Sequence, residues 1–144
     1  MDNLQNISLI YDSVPIKGPK LKNVNSNGPA DSLLRSPRAF FDGAAQLNSC
    51  GCGVFIIMNE NLHYSLSWNA GKGTNNMAEA KALAGLLAFY IYFDIHSISI
   101  FGDSKSVVDH VNGKIHIRCL HLAGWMDRIM FFWSLMEGSS ISHI

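Results

Sequence analysis

An α/β domain built on a mixed sheet is predicted by three observations. Strand-like apolar runs fill the region from Ala39 to Ala70, helical patterning replaces them after Gly71-Lys72-Gly73, and short strand-like runs return at Ser97–Phe101 and Ile141–Ile144. The order is three strands, helix, strand, helix, helix, strand. The first three strands are close enough to pair as an antiparallel meander, whereas the later two reach the sheet by helical crossovers and so lie parallel to it.

Composition sets the outer limits. The chain has 144 residues, 48% of them hydrophobic, with 11 basic against 11 acidic side chains. An aliphatic-rich, neutral chain of this size folds as one domain, and its composition excludes disorder. The longest apolar run, Ala82 to Phe93, is shorter than the roughly twenty residues that a membrane span needs and reads as a buried core helix. The first residues, MDNLQNISLIYDS, lack the basic start and apolar stretch of a secretory signal, and three cysteines do not make a disulfide framework. An intracellular protein, nuclear or cytoplasmic, is expected. A zinc site from Cys50, Cys52, Cys119 and a histidine would lack the usual Cys-x-x-Cys knuckle.

Along the chain, residues 1–37 are expected to form an N-terminal arm or linker. Residues 13–37 within it hold all four prolines and show no apolar period. The domain is expected over 38–144. Its first strand covers Ala39–Leu47, its second Val54–Met58 and its third Leu62–Ala70, with Asn48-Ser49 and Asn59-Glu60-Asn61 as turns. Thr74-Asn75-Asn76 offers N-caps to a long helix over Met77–Tyr92. Ser97–Phe101 is the fourth strand, Ser104–Val111 a short helix ended by Gly113, Leu120–Met136 a third helix and Ile141–Ile144 a last strand.

Three acids stand where strands end or helices begin: Asp42 in AFFDGAA, Glu79 in TNNMAEAKAL and Asp103 in SIFGDSKSVVD. Each has an ordinary structural reading. Asp42-Gly43 reads as a hairpin turn, Glu79 as the far end of a capping box opened by Asn76, and Asp103 as an N-cap.

The blocks FFDGAA, GVFII, GTNNMAEAKAL, ISIFGDSKSVVD and ISHI together resemble the ribonuclease H type 1 domain, in the form found in plant retroelement-derived and reverse-transcriptase-like proteins. The resemblance runs from about residue 38 to 144 and rests chiefly on TNNxAE followed by DS after an apolar strand. It implies a five-stranded mixed sheet in the order 3-2-1-4-5, with the first three strands antiparallel and helices on both faces. It also implies that Asp42, Glu79 and Asp103 are metal ligands and catalytic acids, and that His143 is the histidine that assists product release. Gly43, Asn75 and Asn76 match positions that line the substrate's groove, and Lys105 is a further candidate for substrate binding.

The implied activity is metal-dependent endonucleolytic hydrolysis of the RNA strand of an RNA–DNA hybrid, by a monomer using Mg²⁺ or Mn²⁺. Two such ions about 4 Å apart shield charge on the attacking and leaving oxygens, and three carboxylates drawn to one point need a cation between them. Groove recognition would test the 2′-hydroxyls of the RNA strand, with Lys72, Lys105, Lys114, Arg118 and Arg128 as cations for phosphates. The family pattern continues past the histidine to a fourth acid on a final helix, whereas this sequence stops one residue after His143. The expectation is therefore a fold lacking its last helix, weak metal binding and low or no turnover. A non-catalytic nucleic-acid-binding domain or retroelement fragment is the alternative.

Overall fold

The structure, a computed structural model, describes residues 20–21 and 37–144. The elements are β1 (Lys20–Leu21), β2 (Arg38–Gln46), β3 (Ser49–Ile57), β4 (Leu62–Lys72), α1 (Asn75–Tyr92), β5 (Ser99–Gly102), α2 (Lys105–Val111), α3 (Leu120–Ser134) and β6 (Ser140–His143). The strands form one sheet in the order β1-β4-β3-β2-β5-β6. Counted from Arg38, that is the predicted 3-2-1-4-5. β2 pairs antiparallel with β3 and parallel with β5, and β5 pairs parallel with β6. The expected arm falls outside the described residues except at β1, where Lys20 and Leu21 pair antiparallel with His63 and Leu62 on the edge of β4.

Period-two alternation decides which side chains face the helices. Ala39 and Phe41 of β2, Cys52, Val54 and Ile56 of β3, Leu66 of β4, Ile100 of β5 and Ile141 of β6 share one buried cluster with α1, α2 and α3. The intervening residues face the other way: Phe40 stacks on Phe101 at 5.4 Å, and Phe55 meets His63 at 5.2 Å. All three described helices thus gather on one face. Helices on both faces were expected, and among the described residues no helix covers the second face.

α1 is the centre of this core. It is buried almost all round because it lies between the sheet and α3, which explains why its sequence shows little amphipathic bias. Its half-buried Lys81 donates to the carbonyls of Ala70 (2.7 Å) and Lys72 (3.0 Å), fastening the end of β4.

Several boundaries differ from expectation for local reasons. Asp42-Gly43 is not a turn; β2 runs through it, and Leu47 and Asn48 make the hairpin turn with φ of 51° and 64°. β3 starts at Ser49 rather than Val54, since Cys50 and Cys52 point into the core and ladders on both sides outweigh the low strand propensity of glycine. β5 starts at Ser99 because Ser97 takes a left-handed conformation with φ 59°. The N-cap of α1 is Thr74, which leaves Glu79 beyond the reach of a capping box. Ser104, not Asp103, holds the N-cap position of α2, without a side-chain capping bond.

Candidate metal centre

Asp42, Glu79 and Asp103 come from three elements, and the fold brings one carboxylate oxygen of each within 4.8 Å of the others. Asp42 is exposed on the open face of β2. Gly43 faces the other way, against α1, where a Cβ would overlap the backbone of Ala78 and Glu79. Only glycine lets the helix come this close, and that approach is what puts Glu79 beside Asp42.

One contact caps the start of α1, and three more seat it on the β2–β3 hairpin. The Thr74 hydroxyl accepts from the Met77 N–H at 3.3 Å, and Asn75 Oδ1 accepts from the Ala45 N–H at 2.7 Å. The Cys52 thiol donates to the Ala78 carbonyl at 3.3 Å, and the Gly73 N–H donates to the Asn48 carbonyl at 2.8 Å.

Asp103 arrives by the parallel pairing of β5 with β2. Phe41 lies beside Gly102, so Asp42, the next residue of β2, and Asp103, the first residue past β5, follow side by side. Gly102 also leaves room for the Phe41 ring, which a Cβ there would strike. On the far side, His143 of β6 pairs with Gly102, and its Nε2 donates to the Asp103 carbonyl at 3.0 Å.

The electrostatics are those of an anion cluster. Burial, then the charges of Asp103 and Asp42, push the Glu79 carboxyl up to about 7, while the Gly43 N–H acts in the opposite sense. Glu79 Oε2 is buried and has no hydrogen-bond partner. An orphaned, buried carboxylate oxygen facing two further carboxylates is a fitting donor set for a hard divalent cation, whose charge would remove the repulsion and satisfy that oxygen. Among the described residues this is the one cluster of histidine, cysteine and acidic groups so arranged. Cys50 and Cys52 are buried in the core and Cys119 is exposed.

The other predicted residues fall around this centre. Gly43 is spent on packing and Asn75 on the Ala45 contact, while Asn76 is exposed. Lys105 is exposed and pairs with Asp109 at 2.7 Å along its own helix. Lys72, Lys114 and Arg118 are exposed, and Arg128 lies over the Trp125 ring at 5.0 Å. The Asn75–Ala45 and Cys52–Ala78 contacts carry no signal in the sequence, since each joins residues far apart in the chain. A cavity of about 420 Å³ opens beside Asp42 and Asp103 on the uncovered face, floored by Phe40, Gly53, Phe55 and Ser65. A groove of about 790 Å³ continues towards the β2–β3 turn; Ser67 lines both.

Residues 40–144 match the model of the family described as "Reverse transcriptase-like". No curated protein matches. Among solved structures, RNase H1 from the halophilic archaeon Halobacterium salinarum is similar, with a TM-score of 0.69 and 25% identity, over 76% of this chain and 86% of that one. LC11-RNase H1, isolated from compost and solved with an RNA/DNA hybrid, gives 0.66 at 24% identity, over 76% and 85%. The foamy viral protease-reverse transcriptase, also solved with an RNA/DNA hybrid, gives 0.64 at 18% identity, over 85% of this chain and 19% of that one. The last two show the shared fold.

Proposed function

The chain belongs to the reverse transcriptase-like family, and from that premise we propose that it is a ribonuclease H-type endonuclease domain, cutting the RNA strand of RNA–DNA hybrids with Mg²⁺ or Mn²⁺. The observation that carries the reading is the convergence of Asp42, Glu79 and Asp103 within 4.8 Å, with one buried Glu79 oxygen unpartnered. Bound divalent ions supply charge shielding at the attacking and leaving oxygens of the scissile phosphodiester.

The chain's own residues hold and orient. Asp42 presents its carboxylate from within β2 and Asp103 from the bend directly after β5, so the parallel pairing of the two strands sets how the acids meet. Burial, with the charges of Asp103 and Asp42, favours the neutral form of Glu79, and a bound cation would favour its carboxylate. His143, held by its contact to the Asp103 carbonyl, stands exposed at the rim, where its ring can meet the departing strand. Asn76 is a donor and acceptor for 2′-hydroxyls, with the free amide of Asn75 beside it. Lys105 and the neighbouring exposed cations meet phosphates, giving affinity that falls with salt.

The test is turnover on a hybrid labelled in its RNA strand, with duplex DNA and duplex RNA as controls, in Mg²⁺, in Mn²⁺ and in EDTA. Cleavage confined to hybrid RNA and abolished by EDTA, even at low turnover, is the result that supports the reading. Selective binding of hybrid without cleavage in either metal would overturn the catalytic reading and leave a nucleic-acid-binding domain.

A further inference from the structure

α3 buries one face and leaves a second apolar stripe in water. Leu122, Met126, Ile129 and Phe132 recur at helical spacing and join the core behind α1. On the opposite side, Leu120, Gly124, Asp127, Phe131 and Leu135 follow at steps of three and four residues, which sets them in one line along the helix. Leu120 is 89% exposed, Phe131 45% and Leu135 47%. Glycine inside an exposed helix weakens it relative to alanine, and a Cβ at Gly124 would meet nothing within 4 Å. The packing of a single chain explains neither the bare backbone at Gly124 nor the apolar residues in line with it.

The stripe is complementary to itself when reversed. Turned end for end about an axis between Asp127 and Arg128, the helix sets Leu120 opposite Leu135, Gly124 opposite Phe131 and Asp127 opposite Arg128. The same alignment brings Arg118, exposed just before the helix, opposite Glu137, exposed just after it. Apolar residues thus meet apolar ones, a ring meets bare backbone, and opposite charges meet twice. Arg128 is half-buried, with its guanidinium held 5.0 Å from the Trp125 ring, so its charge is already placed at the edge of the stripe. A twofold interface requires this symmetry, because wherever residue i of one copy meets residue j of the other, j also meets i.

We infer that the outer face of α3 docks a second copy of this chain, with the two helices antiparallel and the Phe131 ring of each copy seated on Gly124 of the other, in place of the monomer that the resemblance implies. α1 lies between α3 and the sheet, so this face points away from the acids and leaves both acidic centres of the pair open. From Leu120 to Leu135 the stripe runs roughly 22 Å. One helix pair of that length buries less than the roughly 800 Å² per partner of a standard interface, so the dimer is reversible, with a Kd on the order of 10 µM.

The test is sedimentation equilibrium of the full chain from about 1 to 500 µM, spanning the expected Kd, with reductant present so that the exposed Cys119 does not link chains. Asp127→Arg and Arg128→Asp each set like charges opposite one another in a homodimer and are expected to weaken it about ten-fold. Mixed in equal amounts, the two variants match opposite charges on both sides of the axis, as the double variant Asp127→Arg/Arg128→Asp does by itself, and both preparations are expected to regain the original affinity. Gly124→Glu, at a position open in the single chain, is expected to keep or raise the thermal midpoint while abolishing association, which separates loss of the dimer from loss of the fold. A monomer throughout the range overturns the inference. So does a dimer that Gly124→Glu leaves intact, or a mixture of the two charge variants that associates no better than either alone.

Discussion

The two faces of the sheet are made of the same strands yet serve different ends. On the covered face, Ala39, Phe41, Val54, Ile56 and Ile100 are nearly inaccessible and pack against α1 and its neighbours. On the open face, Asp42, Ala44, Gly51 and Ser67 alternate with them in sequence and stay in contact with solvent. One residue of register separates stability from chemistry, so a substitution's consequence depends on the parity of its position. Asp42 and Gly43 are the clearest instance: the first presents a carboxylate, and the second admits the helix that carries another.

The largest effect expected is at the acids. Asp103→Asn should cut metal-dependent hybrid cleavage by more than about 100-fold, while leaving the unfolding midpoint little changed because Ser104 holds the N-cap position. A variant that unfolds instead would place Asp103 with the stabilising face. Across that divide, Ile56→Ala should cost about 2–5 kcal/mol in urea unfolding, and its neighbour Phe55→Ala about 1 kcal/mol or less. Equal costs would show that the second face is as closely packed as the first.

Gly43→Ala tests the link between the faces. It should destabilise by about 1–3 kcal/mol through overlap with the backbone of α1, and it should also weaken Mg²⁺ binding by moving Glu79, as calorimetry would detect.

The acids also predict a pH response in the metal-free protein. The folded Glu79 carboxyl sits up near 7 against an ordinary value of 4.5, so its neutral form is favoured by folding. Its contribution is full below the unfolded value and is lost as pH rises through about 7. Thermal midpoints in EDTA should therefore fall between pH 5 and 7.5, and Glu79→Gln should flatten that portion of the profile. The smallest effect is deep in the covered core, where the Tyr90 hydroxyl is buried without a partner and burial pushes its ionisation well up. Tyr90→Phe should be neutral or stabilising by about 1 kcal/mol in the same assay.

Much of this division is legible in the sequence. The element order, the strand order that the resemblance implies and the three acids all follow from local motifs, because TNNMAE and FGDS each place an acid at a fixed offset from a strand or cap. What stays hidden depends on contacts distant in sequence. The strand character of Ser49–Gly53 comes from ladders on both sides, which moves the expected Asn48-Ser49 turn back by one residue to Leu47–Asn48. That Gly43 serves packing, and that Asn75 is tied to Ala45, appear only once α1 is laid on β2. The pairing of Lys20–Leu21 with β4 gives no signal within its proline-bearing surroundings.

Strand order also determines when the centre can come into being. β2, β3 and β4 join through short turns and form contacts between near neighbours, which assemble quickly. β5 and β6 join in parallel only after long crossovers, with Arg38 beside Ser99 and Ser99 beside Ser140. During synthesis Asp42 and Glu79 leave the ribosome well ahead of the strand that delivers Asp103, and the chain carries two of its three acids before that strand is made. The domain thus gains the full acid set only when the long-range parallel pairing of β5 with β2 closes.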